Sequence, residues 1–508
     1  MELLKKLKKV GFSAAVISIM IVLGKVCGFV REIVLSHYYG TSNVTDAYIM
    51  NGNIVGVLFG WFSTLYVCFT PIYLQTKKHG GNKQADEFTR NVITIFTLLA
   101  VLCVGLVYCI PEQIVSFIAP GFDPETKDLT LRFLKISVLI LLVHPFTYPL
   151  KSYLECNDHF IESSVPDVLV SVLQVVIIAL SGFGGTWLLP FAMFVPYLAQ
   201  GICLKIFSRR KGFKYYPQIQ GSSELKTLFQ LLGPYFVSSL IVEINSMVDR
   251  YFASSLQRGS ITVLNYASTL NSFVMNVFSI ALLVIVYTKM SSAIAEKDTI
   301  KYQNILKKGI QIILFLFFPV TVGVIILAPE IVTCVYGHGE FSPDRVYETA
   351  NVFRMYALSL AALAVRELLM RAMYSVKNMK IPISISLLST FINMILNVIL
   401  VKHLGAMGLA IATSASVIVV LPVYFILVKK YQQIPILEGS GFAVLLPGVL
   451  SIAMGLAVYG MRVILSGVRD SYVGNWLSLL VCTMVGIMVY FVLSGMVYLA
   501  NKRREKVS

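Results

Sequence analysis

The chain has 508 residues, 57% of them hydrophobic and only 13% charged, and its mean hydropathy is +0.77. That balance excludes a soluble globular enzyme and places the chain among polytopic membrane proteins. A net charge of +16 would point to nucleic acid in a soluble protein. Here the basic residues lie in short segments between apolar runs, as the positive-inside rule describes, and no nucleic-acid partner is expected.

Runs of ~20 apolar residues give fourteen spans, at 11–38, 46–72, 91–111, 131–150, 165–183, 186–208, 228–254, 259–288, 306–328, 350–373, 382–401, 404–428, 441–465 and 475–499. The first is too long for a cleavable signal peptide and leads into a charged hairpin. Lys5, Lys6, Lys8 and Lys9 precede it, and Lys77, Lys78 and Lys83 follow the second span. Basic clusters follow spans 6, 8, 10, 12 and 14 as well, whereas HYYGTSNVT, FDPETKD, GFGGT and GEFSPD are poor in base or acidic. Both termini are therefore expected on the cytoplasmic side of a bacterial cytoplasmic membrane. The eight cysteines are scattered without CxxC spacing and read as small core residues, not as a disulfide frame or metal site.

The chain also repeats itself. VREIVLSHYYGTSNVTDAY, from Val30, aligns with VDRYFASSLQRGSITVLNY, from Val248, when Arg31 is set on Arg250 and Gly40 on Gly259. PEQIV at Pro111 echoes PEIVT at Pro329, and Tyr153 and Asn157 before Pro166 echo Tyr374 and Asn378 before Pro382. Six spans per repeat put both halves in one membrane orientation, with the symmetry axis along the membrane normal. The expected architecture is all-α, with an N-terminal lobe over 1–215, a C-terminal lobe over 216–432, and two appended helices with a basic tail over 433–508. Short connections leave no room for a soluble catalytic domain. No Walker A loop, HExxH or DxD motif is present.

Function should reside in the polar residues that lipid excludes, since a charge at the bilayer centre costs roughly 2.5–3.5 kcal/mol on insertion scales. The first hairpin holds Lys25, Arg31 and Glu32, with Gly24 and Gly28 allowing close packing or a break, and Asp46 opens the second span with Asn51 and Asn53 beyond it. Span 7 carries Glu243, Asn245, Asp249 and Arg250, and span 8 carries Asn265, Asn271 and Asn276. Two lobes that each offer an arginine to a central cavity suit a large anionic headgroup, because the guanidinium fork binds phosphate bidentately and keeps its charge. The alternative for Lys25 and Arg31 is snorkelling to an interface. Asp249 with Asn393 and Asn397, four apart on one helical face, would make a hard-oxygen cage for a cation. The competing reading is interhelical hydrogen bonding. His144 reads as a packed histidine, and Arg366–Glu367 as an ion pair or an interfacial anchor.

GKVCGFVREIVLSHYYGTSNVTDAY resembles the first hairpin of the MurJ/MviN lipid II flippases. APGFD from Ala119, VDRYFAS from Val248 and GAMGLAIATS from Gly405 are similar to further landmarks of that family. The resemblance implies V-shaped lobes that alternate between inward-open and outward-open and carry undecaprenyl-pyrophosphate-linked peptidoglycan precursor outward. It matches Lys25 and Arg31 to the family's two cations of span 1, Glu32 to its acidic neighbour and Asp46 to its D-A-[FY] aspartate. It also places Asp249, Asn393, Asn397 and Thr413 where sodium-binding members have their ligands. The chain departs from the pattern in span 2, where NGNIVGVLFGWFSTL lacks the family's arginines and glutamate. It departs again at Ala267–Ser268–Thr269, which stands where the family has A-D-R.

The expectation is a flippase with no covalent chemistry and no organic cofactor, with sodium as the coupling ion left open. Lys25 and Arg31 would hold the pyrophosphate with Glu32 and Asp46 orienting them, Arg250 and Asn53 would belong to the same substrate site, and the appended helices would wall a groove for the polyprenyl tail. An outward-moving anion runs downhill by ~2.3 kcal/mol per charge per 100 mV in an inside-negative potential. The expected partners are a polyprenyl-pyrophosphate-linked saccharide and membrane lipids, with the protein a monomer alongside cell-wall synthesis proteins. The alternatives are a flippase for another polyprenyl-linked polysaccharide unit, a cation-coupled multidrug exporter of the same superfamily, or a membrane glycosyltransferase using the same donor.

Overall fold

The computed structural model describes the backbone of residues 2–376, 378–432, 441–468 and 471–505. Side chains are described from Ile19 to Leu499, apart from some helical positions, chiefly within 237–246 and 432–444. Among the described residues every regular element is helical. In lipid this is the expected solution, because a helix satisfies its own backbone hydrogen bonds. The order begins α1 (Glu2–Tyr39), α2 (Asn43–Phe59), α3 (Ser63–Cys109), α4 (Pro111–Ile118), α5 (Pro124–Ser137), α6 (His144–Cys156), α7 (Phe160–Gly184), α8 (Leu189–Arg210) and α9 (Ser223–Ala253). It continues with α10 (Ser260–Ala295), α11 (Thr299–Tyr336), α12 (Pro343–Ala357), α13 (Leu360–Ser375), α14 (Lys380–Gln432), α15 (Gly441–Ile464) and α16 (Tyr472–Glu505).

The fourteen apolar stretches map onto these helices. Helix α3 bends at Gly81 (φ 71°) and α14 at Gly405 (φ 53°), so each joins two consecutive stretches. Span 4 is broken into α5 and α6 by a 3-10 turn, and its repeat equivalent, span 10, is likewise broken between α12 and α13. By length and hydropathy, eight described stretches can cross a membrane, or nine if the bent pair Ser260–Ser279 and Leu282–Ala295 counts as one. Two of the eight, Asn43–Cys109 (67 residues) and Lys380–Tyr431 (52 residues), are each long enough for two passes. The two glycines paired by the repeat both take positive φ, Gly40 at 53° and Gly259 at 88°. Gly40 opens the connection from α1 to α2, whereas Gly259 closes the one into α10.

The chain packs as two compact units, Met1–Thr262 and Val263–Ser508. In the first, α1 lies along α7. Helix α1 runs unbroken through Gly24 and Gly28. A Cβ at Gly28 would meet open space, so neither a break nor a close approach uses it. The close approach is at Gly182, where a Cβ would come within 2.2 Å of the Tyr38 ring, and Tyr39 donates its hydroxyl to Ser181 Oγ at 2.9 Å beside it.

The extended segment after α8 is fastened to α3. Asn91 Nδ2 donates to Gln220 O (3.3 Å), Asn91 Oδ1 accepts Gln220 N–H (3.1 Å), and Thr94 Oγ1 accepts Gln218 N–H (3.1 Å). Arg90 donates Nε–H to Gln218 Oε1 (3.1 Å) and lies 4.3 Å over the Tyr216 ring. Helix α9 opens the second repeat by sequence, yet packs with α2 and α3 in the first unit. The repeat divides the chain by internal likeness and the units divide it by packing, so the two boundaries differ.

In the second unit the appended helices α15 and α16 pack on α11 through Leu327, Leu450, Met454, Val458, Cys482 and Tyr490. Tyr490 also donates its hydroxyl to Phe315 O at 2.9 Å. All eight cysteines are free thiols, but only Cys68, Cys334 and Cys482 are buried. The other five lie on partly or fully exposed helix faces, which in a membrane protein are apolar too.

Candidate functional site

Arg31 lies in the last third of α1 and turns toward α7. Its Nη2 and Nε (3.2 Å) both donate to Glu32 Oε1, and Nη1 donates to Gln174 Oε1 at 3.3 Å. Glu32 is buried (5% exposed), and the Arg31 side chain keeps 32% of its surface. The sequence thus brings Arg31 and Glu32 together, and α7 supplies the neutral acceptor that fixes the fork. Tyr48 and Tyr197 lie within electrostatic range of the same guanidinium. A cation fixed this way is preoriented, with part of its surface still exposed, which suits recognition of a phosphate-like group.

Lys25 lies about two turns earlier on α1 and is exposed among exposed apolar neighbours, Val22, Leu23 and Val26. It is not drawn into the Arg31–Glu32–Gln174 cluster. Asn53 donates Nδ2–H to Ile49 O at 2.8 Å, one turn back on its own helix. Asn51 is fully buried as helix glue, accepting from Ser137 Oγ at 2.9 Å and donating toward Met193 Sδ at 3.1 Å.

Asp46 has a different setting. Ser42 caps α2, and the Asp46 carboxylate points from the first turn of that helix to the start of α10. Oδ2 accepts Gly259 N–H at 2.6 Å, and Oδ1 accepts both Thr262 N–H (2.8 Å) and Thr262 Oγ1–H (2.6 Å). A carboxylate at a helix N-terminus satisfies orphan amides and meets the positive end of the helix dipole. Asp46 is 4% exposed and committed to this contact. Gly259 lets the connection between α1 and α2 come close, since a Cβ there would lie 2.5 Å from Thr41 O.

In the second unit, Asn397 Nδ2 donates to Asn393 Oδ1 (3.2 Å), and Asn393 Nδ2 donates to Thr413 Oγ1 (3.2 Å). Both asparagines are buried, so three of the four expected cation ligands form one connected chain of amides and hydroxyl across α14. Asp249 and Arg250 lie partly buried near the end of α9, in the first unit. Among the described residues no group of three or more His, Cys, Asp or Glu side chains could hold a metal. His144 sits among the rings of Phe62, Tyr148 and Tyr197 as a packed residue. Arg366 and Glu367 approach only to 3.9 Å.

The chain matches the family model described as "Lipid II flippase MurJ" over residues 35–478. It belongs to the MurJ family. A "Probable lipid II flippase MurJ" of Thermotoga maritima is 27% identical over 480 residues, covering 92% of this chain and 93% of that one. Among solved structures, "Lipid II flippase MurJ, inward closed conformation" superposes with TM-score 0.82 at 24% identity, covering 97% of this chain and all of that one. An inward-facing multidrug resistance MATE transporter of the MOP superfamily follows the same fold, with TM-score 0.70 at 13% identity over 82% of this chain and 96% of that one. The chain is a multi-pass membrane protein built on a transporter fold, not an enzyme.

Within this family fold, some polar contacts emerge only from the structure. Lys151 Nζ pairs with Asp167 Oδ2, and Gln200 Nε2 donates to Asp167 Oδ1 at 2.7 Å, joining α6, α7 and α8. In the sequence Lys151 and Asp167 lie at span ends beside prolines, where charges look interfacial. Glu243 of α9 lies against the glycine face of α2, so that a Cβ on Gly56 or Gly60 would approach its carboxylate to 3.3 or 3.0 Å. The signal for that contact was present as Gly52, Gly56 and Gly60 spaced four apart, a small-residue face for close helix approach.

Proposed function

We propose that this chain moves lipid II from the cytoplasmic to the outer leaflet by alternating access, with both termini cytoplasmic and no covalent step. The observation that carries the reading is Arg31, half-buried on α1 and preoriented by Glu32 and Gln174, in a chain whose residues from 35 to 478 match the flippase family. Its planar fork would take the pyrophosphate, and Lys25, exposed on the same helix, would add charge along the route. Both repeats lie in one chain, which supports transport by a monomer. Helices α15 and α16, packed on α11, remain our candidates for the wall of the polyprenyl groove.

Sodium is the proposed coupling ion. Asn393, Asn397 and Thr413, within the second unit, offer hard oxygens of the kind that cation binds. Another polyprenyl-pyrophosphate-linked saccharide is the second reading. It is favoured by Ala267–Ser268–Thr269 and by a span 2 without arginine.

The test is complementation of a flippase-depleted strain, paired with lipid II accessibility at the outer leaflet. Wild type should restore growth and exposure of lipid II. A well-folded Arg31→Met/Glu32→Gln double variant should restore neither, and full rescue by it would remove Arg31 from the mechanism. Rescue of capsule export but not of growth on depletion would favour the second saccharide.

A further inference from the structure

A cleft of about 410 Å³ opens in the second unit where α11 and α12 meet the appended helices α15 and α16. Its polar lining comprises Glu330, Thr333, Tyr347, Arg462, Ser466 and Asn475. It lies toward the connections poor in base, GEFSPD after α11 and the turn after α15, and is made from elements other than those that carry Arg31.

Glu330 is 3% exposed and accepts Arg462 Nε–H at Oε1 at 2.7 Å. An isolated pair of that kind could be a structural tie between α11 and α15. Two further facts argue for more. Arg354 of α12, whose Nε donates to Ile325 O at 2.9 Å, lies within electrostatic range of both Glu330 and Arg462. Arg354 also donates Nη1–H to Asn351 Oδ1 at 2.7 Å. Among these three side chains two guanidinium groups stand against one buried carboxylate, a net charge of +1 beside the cleft. The other polar side chains at the wall are Ser466, Tyr347 and Asn475, all able to donate to an oxyanion, and Thr333, whose hydroxyl already donates to Pro329 O at 2.7 Å.

We propose that this cleft is a binding site for a phosphate-bearing group, with Arg462 as its principal ligand. Glu330 aims the guanidinium and moderates its affinity, and Tyr347, Ser466 and Asn475 complete the donor set. The group is either the phosphodiester of a membrane lipid or a free phosphate from the aqueous side. Because the site includes the appended helices, a bound phosphate would bridge them to the repeat.

The experiment measures binding to the purified full-length chain with two probes, phosphatidylglycerol by native mass spectrometry and inorganic phosphate by calorimetry. Wild type should bind at least one. Binding of the lipid alone assigns the headgroup, and binding of phosphate alone assigns the soluble ion. Arg462→Gln should weaken binding at least tenfold. Glu330→Gln, which removes the competing carboxylate, should tighten it about tenfold, whereas a purely structural pair would give no gain. Should Arg462→Gln fold poorly for want of a partner to Glu330, the Glu330→Gln/Arg462→Gln double variant keeps the tie neutral and should still lose binding. Failure of wild type to bind either probe overturns the proposal, as does equal binding by wild type and the folded double variant.

Discussion

Asp46 Oδ1 accepts both the backbone N–H and the hydroxyl of Thr262, at 2.8 and 2.6 Å, while Oδ2 takes Gly259 N–H. A side chain that heads one apolar helix is thereby the cap of another, more than 200 residues on. Hydrogen bonds to a charged group are each worth about 1.5–3 kcal/mol. Asp46→Asn, which removes the charge and one acceptor, should lower stability by about that amount. Thermal unfolding in detergent should show it, and an unchanged midpoint would mean the contact is idle.

Gly259 holds φ 88° and faces Thr41 O. Gly259→Ala should cost at least ~1–2 kcal/mol for the left-handed backbone alone, with a further loss from the crowding. Gly28→Ala, on a helix with open space at that position, should be neutral or slightly stabilising. Comparing the two melting temperatures checks the assignment.

Removing Arg31 alone leaves Glu32 charged, buried and short of its partner. Arg31→Ala should therefore cost roughly 3–5 kcal/mol, and adding Glu32→Gln should recover most of that. If transport stays lost in the stable double variant, stability and function at Arg31 are separated.

Asp123 caps α5, accepting Thr126 Oγ1–H at 2.7 Å, and pairs with Arg258 at 2.7 Å. Desolvation is the largest single influence on its carboxyl and acts to raise the pKa. Hydrogen bonds from Thr126 and the Arg258 cation outweigh it and hold the group below the usual carboxylate range. A lowered folded value means that the contribution is present above the unfolded value, about 3.9. It is lost as pH falls through the folded one. The drop in melting temperature between pH 7 and about pH 3 should shrink in Asp123→Asn; an identical drop would exclude Asp123 as a source of acid sensitivity.

Sodium, if it couples transport, should raise the melting temperature of the purified chain over an equal concentration of potassium. Asn393→Ala should abolish the difference. A sodium shift that survives in Asn393→Ala would place the cation elsewhere.

Much of this was legible in the residues. Apolar runs, basic connections and a repeat offset are local patterns, and lipid leaves a chain little choice but helix. The charges of the first hairpin put Glu32 next to Arg31. Neighbours on one helix do not face each other by default, so their contact rests on the reach of the Arg31 side chain. Gln174 was not legible, because a glutamine in an apolar span carries no sign of which helix it will face.

Asp46 shows the limit more sharply. Its residue type and place in the hairpin suggest a partner for a cation, whereas its oxygens meet the amides of α10, donors that every sequence has and no sequence displays. Sequence by itself determined the helical class and the family, because each depends on composition and order along the chain. Only the tertiary structure decided which charges are committed to holding helices and which retain exposed surface, because that depends on which faces meet.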